Sequence, residues 1–154
     1  DFWVSISATT RNPRNNEVNG EDYFFVSDDE FTRMINADEF LEWAEFAGNR
    51  YGTPHEKVEQ ALLLGRNVLL EIEIAGAKQV KAHLPQSVLV FLEPPTWEEL
   101  VARLEGRGTD SPERRAERLR LAQEELAAAS FFDVVLINDQ VESVVGKLIE
   151  LAHN

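Results

Sequence analysis

Apolar runs of strand length alternate with helical stretches in the second half of the chain, and this alternation constrains the fold most strongly. The runs lie in Asn67–Ile74, Ser87–Leu92 and Asp133–Asn138. Their continuous apolar character suits strands that are covered on both faces. Strands that alternate with helices predict a parallel α/β sheet. The predicted helices are Gly76–Leu84, a helix capped by Thr96 with Glu99 completing a capping box, Ala116–Ser130 and Val141–Ala152.

The segment 7–53 shows a different pattern, in which short strands are joined by turns. Tyr23–Ser27 and Phe40–Phe46 have strand character, and Ser27 is a suitable N-cap for a short amphipathic helix at Asp28–Asn36. We therefore expect a small mixed-sheet lobe inserted in the α/β core. The predicted domain is single, with the lobe at 7–53, the core at 54–102 and 131–154, and a lid with its following helix at 103–130.

Composition limits the partners of this domain. The formal net charge of −13 argues against polymeric nucleic acid or an anionic membrane as a partner, because both are bound by neutralising phosphates. The chain contains no cysteine, which excludes disulfides and thiolate metal sites and fits a cytoplasmic protein. We find no signal peptide or membrane-spanning run, and the three histidines lack metal-ligand spacing.

Two arginines interrupt the acidic sequence in a stretch rich in turn residues. Arg11 and Arg14 lie within Ser7–Tyr23, between two apolar alternations, and so belong on a loop between strands. A planar guanidinium fits phosphate bidentately and keeps its charge. The loop is therefore either an anion clamp or a surface loop with two solvated arginines.

Glu42 is a carboxylate within an apolar strand. Strict alternation would place it on one face with Phe40, and would place Leu41 and Trp43 on the other. It either points to water or recognises guanine, whose N1–H and N2–H are adjacent donors that adenine lacks.

Glu71 and Glu73 lie near the carboxyl end of the predicted strand Asn67–Ile74. Ligands of open parallel sheets bind at such ends. The two acids could hold magnesium through water, could hydrogen-bond a nucleoside, or could mark a strand that is leaving the core.

A second arginine group follows the strand at Ser87–Leu92. Arg103 and Arg107 are spaced i, i+4 on one helix, and Arg118 lies on the next helix. The intervening glycines make this hairpin either a lid that closes over a substrate or a pair of solvated helices.

Several motifs resemble those of the guanylate kinases. The chain contains S-x-T-T-R-x-P-R and E-V-x-G-x-D-Y in the loop, E-W-A-E-F around Glu42, G-N-R-Y-G-T before Thr53, and R-L-x-x-R-G-T in the hairpin. The resemblance extends from about Val4 to Leu151. It implies an α/β P-loop kinase core, a lobe that binds guanosine monophosphate (GMP) and a helical lid.

This resemblance implies transfer of a phosphoryl group from ATP to GMP, giving ADP and GDP, with Mg²⁺ entering alongside ATP and no residue assigned as a metal ligand. The implied catalytic residues are Arg11, Arg103, Arg107 and Arg118, and the implied ATP contacts are Arg103, Arg107 and Asn138. The implied GMP contacts are Ser7, Arg11, Arg14, Tyr23, Glu42, Tyr51, Thr53, Glu71 and Glu73.

The chain departs from this family in one respect. It contains no G-x-x-x-x-G-K-[S/T], the motif that cradles nucleotide triphosphates and that the related kinases carry upstream of the stretch where this chain begins. We expect the chain to be a piece of a longer protein, or a fragment completed by another chain, and to be inactive alone. The alternative function is a non-catalytic guanylate-kinase-like module that binds a phosphopeptide or GMP only, and a homo-oligomer stays open.

Overall fold

A computed structural model describes residues 2–105 and 111–153. These residues fall into two compact units, Asp1–Ser87 and Val88–Asn154. Both units contain helices and short strands, so the content is mixed α/β as the sequence predicts.

Four strands of the first unit form a mixed sheet. They are β2 (Ala8–Thr9), β3 (Phe24–Phe25), β4 (Phe40–Phe46) and β5 (Asn49–Pro54), in the order β3-β2-β5-β4. The β2–β3 pair is parallel, whereas β5 is antiparallel to both β2 and β4. The loop that carries Arg11 and Arg14 connects β2 to β3.

Helix α1 (Asp28–Asn36) forms where the sequence predicts it. The Ser27 hydroxyl accepts a hydrogen bond from the Glu30 amide at 3.1 Å, which satisfies a donor that the helix itself cannot pair. Phe31 is fully buried on the inner face of α1 and stacks against Phe40, with ring centroids 4.5 Å apart. The predicted cap and helix are confirmed.

Strand β4 has the predicted bounds but not the predicted faces. Its register with β5 shifts between Phe40 and Glu42. Phe40 and Trp43 therefore pack into one apolar cluster with Phe31, while Leu41 packs into another with α2 and α3 residues. The prediction that Phe40 shares a face with Glu42 is wrong, because a β-bulge adds a residue and reverses the alternation.

The remaining elements of the first unit lie around the second cluster. Strand β1 (Phe2–Val4) pairs in parallel with β6 (Asn67–Leu69), and α2 (His55–Leu63) and α3 (Ile74–His83) are the helices. The strand predicted to run to Ile74 ends at Leu69, because the ladder with β1 ends at the Val4–Leu69 pair. Residues 70–73 then lead directly into α3, which begins two residues before the predicted position.

The second unit contains a parallel pair, β7 (Val90–Glu93) and β8 (Val134–Ile137). Between them, α4 (Trp97–Glu105) and α5 (Pro112–Ala127) pack against each other, and α5 ends in a 3₁₀ turn at Ala128–Phe131. Helix α6 (Val141–Ala152) has its predicted bounds. Outside the four-stranded sheet, the parallel strands of the described residues thus occur as two separate pairs, β1–β6 and β7–β8.

Helix α4 forms one of the two hydrogen bonds of the predicted capping box. The Thr96 hydroxyl accepts a hydrogen bond from the Glu99 amide at 3.1 Å. The Glu99 carboxylate bonds to Arg103 instead of reaching back to residue 96, since the arginine one turn later offers a charged donor. None of the helices in the described ranges is both long and apolar enough to cross a bilayer.

Candidate functional site

The guanidinium of Arg11 is held in place rather than solvated. Its Nη2 and Nη1 atoms donate to the two carboxylate oxygens of Glu17 at 2.8 and 2.9 Å, and both side chains are only 16% exposed. The guanidinium also lies over the rings of Tyr23 and Phe25, 5.3 and 5.8 Å from their centroids. Of the two interpretations of this loop, Arg11 therefore does not fit a solvated surface residue.

Two threonines fix the backbone just before Arg11. The Thr9 hydroxyl donates to the Arg50 carbonyl at 3.0 Å and accepts from the Arg11 amide at 3.2 Å. The Thr10 hydroxyl accepts from the Arg50 amide at 2.9 Å. These contacts fasten the start of the loop to β5, so the position of Arg11 follows from the sheet.

Two tyrosines border the Arg11 guanidinium. Tyr23 and Tyr51 pack edge to face, with ring centroids 6.2 Å apart. The pKa of Arg11 is raised, above all by the hydrogen bonds to Glu17, and a hydrogen bond with Tyr51 adds to the rise. The structure thus brings together three of the GMP contacts that the family resemblance implies: Arg11, Tyr23 and Tyr51.

Glu42 is a buried carboxylate. It is 4% exposed, and its Oε1 accepts a hydrogen bond from the Thr53 hydroxyl at 2.6 Å. Burial raises the pKa of Glu42, hydrogen bonds from Thr53 oppose the rise, and the nearby charge of Glu73 adds to it. Glu42 therefore does not point to water, and it lies in direct contact with Thr53, another of the GMP contacts that the resemblance implies.

Helix α3 supports Glu42 at two points. Gly76 leaves room for the carboxylate, since a Cβ there would lie 3.0 Å from Glu42 Cδ and closer still to Oε2. One turn later, the Gln79 side chain donates to the Trp43 carbonyl at 2.7 Å and accepts from the Trp43 amide at 3.1 Å. Both contacts fix β4 and the orientation of its acid.

Strand β5 connects the arginine cluster to the buried acid. Tyr51 and Thr53 are two residues apart on this strand, so their side chains share one face. Two residues of a strand span about 6.6 Å. The cationic cluster around Arg11 and the Glu42 carboxylate therefore lie along the same face of one sheet.

The other predicted residues of the first unit have fewer contacts. Ser7 directly precedes β2, and its carbonyl accepts from the Phe24 amide at 2.9 Å. Arg14 is exposed, with its amide bonded to Glu17. Glu71 is exposed in the segment before α3, and Glu73 is the N-cap residue of α3. Partial burial raises the pKa of Glu73, but the residue is exposed overall, so solvent screens its charge more than that of Glu42.

Two of the predicted ATP contacts lie together in the second unit. Arg103 on α4 donates from Nη2 to the backbone carbonyl of Asn138, directly after β8, at 3.1 Å. Arg118 lies on α5 with a half-buried side chain. Arg107 falls outside the described residues.

A resident metal centre is not formed by the described residues. Within 2–105 and 111–153, no three acidic or histidine side chains are grouped so as to hold an ion. Two cavities of about 380 and 320 Å³ lie elsewhere, one beside α2 and one beside Pro94 and Pro95, and neither is lined by Arg11 or Glu42.

Sequence reasoning assigned no role to three residues that shape this face: Glu17, Gly76 and Gln79. A weak signal existed for two of them. Glu17 is an acid in the arginine loop, and Gly76 is a glycine at the start of the predicted helix Gly76–Leu84, where the missing Cβ permits close packing. Gln79 gave no signal, because its partner Trp43 is 36 residues away in sequence.

The mixed α/β content, the guanidinium cluster and the buried carboxylate on one sheet face define a nucleotide-binding protein. The sequence profile described as guanylate kinase matches residues 1–154. The guanylate kinase of Thermobifida fusca is 55% identical over 151 residues, which are 98% of this chain and 77% of that protein. The guanylate kinase of Streptomyces coelicolor is 53% identical over 153 residues, 99% of this chain and 78% of that protein.

A solved structure agrees with these relatives. The guanylate kinase of Anaplasma phagocytophilum superposes with a TM-score of 0.82 at 31% identity, covering 99% of this chain and 74% of that one. The chain belongs to the guanylate kinase family.

Proposed function

We infer that the protein is a guanylate kinase enzyme, which transfers a phosphoryl group from ATP to GMP and gives ADP and GDP. The observation that carries this inference is the placement of Arg11 and Glu42 along one face of the sheet. A cation for the phosphate and a buried acid for the base are the two groups that a guanine mononucleotide requires. Identity of about half to named guanylate kinases supports the same function.

We propose that Glu42 recognises the guanine base. An ionised carboxylate is an acceptor only, and it can take both N1–H and N2–H of guanine. Thr53 holds the carboxylate in position and lies next to the guanine O6 in this arrangement. Adenine would leave the buried acid unpaired, which makes the site selective.

The proposed phosphate site is formed by Arg11 with Tyr23 and Tyr51. The guanidinium supplies a fixed charge and the hydroxyls supply neutral donors. Contacts that the geometry supports less directly, and that remain predictions, come from Ser7, Arg14, Glu71 and Glu73.

The ATP side of the reaction is assigned to the second unit. We propose that Arg103 and Asn138, which lie in contact, meet ATP, and that Arg107 and Arg118 add positive charge near the transferred group. Fixed positive charge of this kind stabilises the negative charge that spreads over the phosphoryl oxygens in the transition state. Arg11 is proposed to supply such a charge at the GMP phosphate. For the domain arrangement we propose a GMP-binding lobe at 7–53, a kinase core at 54–102 and 131–154, and a lid with its following helix at 103–130. The P-loop motif of such a core does not occur in this sequence.

In the proposed reaction, a phosphate oxygen of GMP attacks the γ-phosphorus of ATP in line, and ADP leaves. No side chain is required as a covalent nucleophile, since positioning and fixed charge carry this chemistry. Mg²⁺ enters as part of the substrate MgATP. A cytoplasmic location is proposed from these substrates and from the cysteine-free composition.

Titration calorimetry with GMP and AMP tests the proposal, because it depends on residues of this chain alone. We expect micromolar GMP binding, much weaker AMP binding, and loss of the preference in Glu42→Gln, which keeps the shape of the side chain and removes its charge. Glu45→Gln, on an exposed position of the same strand, is the matched control. Equal binding of GMP and AMP by the wild type would contradict the assignment of Glu42.

A further inference from the structure

The Glu17 carboxylate binds both arginines of the loop between β2 and β3. It accepts two bonds from the Arg11 guanidinium, and its Oε2 also accepts the Arg14 amide at 2.7 Å. These hydrogen bonds lower the pKa of Glu17 to about 2, so the carboxylate stays ionised through the neutral range. A permanent anion thus lies beside the cation that is proposed to bind a second anion.

The geometry of the Arg11–Glu17 pair determines whether the Glu17 carboxylate and a phosphate can bind Arg11 at the same time. A guanidinium carries five N–H groups. Nη1 donates to Glu17 and to the Asn12 carbonyl at 2.9 Å, and Nη2 donates once to Glu17. The two N–H groups that these bonds do not use, on Nε and Nη2, form the other bidentate edge of the guanidinium. The hydrogen bond with the neutral Tyr51 side chain falls on this edge, where Tyr51 is itself one of the proposed phosphate contacts. Glu17 therefore occupies one edge and does not cover the other.

We propose that Glu17 is a positioning residue, which holds Arg11 by its Nη1–Nη2 edge and thereby presents the Nε–Nη2 edge to the 5′-phosphate of GMP. This inference rests on the proposed role of Arg11 as a phosphate ligand. The rings of Tyr23 and Phe25 hold the guanidinium plane, and Glu17 fixes its rotation within that plane. The opposite arrangement, in which Glu17 imitates the phosphate and must leave before GMP binds, predicts the opposite sign for the same substitution.

The test compares GMP with guanosine, which lacks the phosphate, by titration calorimetry on the 154-residue chain. In Glu17→Gln we expect the dissociation constant for GMP to rise by about tenfold or more, while that for guanosine stays unchanged. General damage to the lobe would weaken both ligands, so the difference between them isolates the phosphate contact. Tighter GMP binding, or an unchanged constant, would overturn the proposal.

Two further variants complete the experiment. Glu21→Gln removes an equal charge from an exposed position of the same loop and is expected to leave both constants unchanged. Glu17→Asp keeps the charge but shortens the reach, so it is expected to weaken GMP and not guanosine even if Glu17→Gln unfolds. Thermal unfolding of each variant verifies that it is folded at the temperature of the titration.

The failure of this inference is distinct from the failure of the proposed function. A wild type that binds guanosine and GMP equally would remove the role of Arg11, and with it the role of Glu17. A wild type that prefers GMP, with the preference lost in Arg11→Gln but kept in Glu17→Gln, would overturn the positioning role alone.

Discussion

The hydroxyl of Thr53 donates a 2.6 Å hydrogen bond to the buried carboxylate of Glu42. The two residues are direct register partners on β5 and β4. Thr53 is itself fully buried, so the pair forms a polar contact within an otherwise closed part of the lobe. Each side chain thus provides a hydrogen-bond partner for the other. The lone pairs of the Glu42 carboxylate that do not accept from Thr53 remain for a ligand.

Replacing Thr53 with valine should weaken both the fold and GMP binding. Thr53→Val keeps the volume and removes the donor, which leaves a buried carboxylate without this partner at a cost of about 1–3 kcal/mol. We expect a lower free energy of unfolding in urea and a raised dissociation constant for GMP. Thr53→Ser keeps the hydroxyl and should retain most of both. Wild-type stability in Thr53→Val would contradict this account of the pair.

The raised pKa of Glu42 predicts how GMP binding depends on pH. Only the ionised carboxylate accepts both guanine donors, so binding should weaken as the pH falls through the raised pKa of Glu42, which lies above the usual glutamate value of 4.5. The GMP phosphate also titrates, near pH 6. In Glu42→Gln, the pH dependence that comes from the phosphate should persist, and the part that comes from the carboxylate should disappear. Calorimetry across the pH range measures both parts. Identical pH profiles for the two proteins would contradict the prediction.

The raised pKa of Glu42 also predicts how the stability of the fold depends on pH. This dependence is opposite in direction to that of GMP binding. The unfolded chain releases the Glu42 proton near pH 4.5, before the folded protein does, so the folded state binds more protons above that pH. The contribution of Glu42 to stability should therefore decline as the pH rises from 4.5 through the raised value. Urea unfolding at several pH values should show a shallower decline, or none, in Glu42→Gln.

Gly76→Ala should impair GMP binding although alanine is the better helix former. The added methyl group would overlap the Glu42 carboxylate, and so must displace it. Gly146→Ala in α6 is the matched control, because a Cβ there meets nothing within 4 Å. That control is expected to stabilise the protein by about 0.5–1 kcal/mol. The contact between α3 and Glu42 would be refuted by equal GMP affinity in both variants.

Gln79→Leu should destabilise the lobe by about 1–3 kcal/mol, since it leaves the amide and carbonyl of Trp43 without their partners. GMP binding should weaken with it, because Trp43 follows Glu42 directly. Gln79→Glu keeps an acceptor for the Trp43 amide but places a second oxygen against the Trp43 carbonyl. It should therefore be less destabilising than Gln79→Leu, yet less stable than the wild type. Urea unfolding and GMP titration measure the two effects.

Local signals were sufficient for several elements. The bounds of α1, β4 and α6 agree with the sequence prediction, because capping residues and apolar periodicity are properties of the segments themselves. The bulge at the start of β4 was not predictable in this way. It arises because Phe40 packs with Phe31 and Leu41 packs with Val58, and these clusters are formed by distant residues.

The candidate site shows the same division. Arg11, Tyr23, Glu42, Tyr51 and Thr53 were identified from motifs, and the structure groups them. The residues that hold them were not identified, since a contact such as that of Gly76 with Glu42 depends on how α3 packs against β4. Residue type indicates which groups can bind a nucleotide, whereas their supports follow from tertiary packing.

The position of Gln79 has a consequence for association between chains. Strand β4 is at the edge of its sheet, where an unpaired peptide can recruit a strand from another molecule. The carboxamide of Gln79 has the same donor and acceptor as a peptide group, and it saturates residue 43 as a neighbouring strand would. The Gln79 side chain thereby occupies the backbone groups in the middle of β4 that another strand would need for pairing.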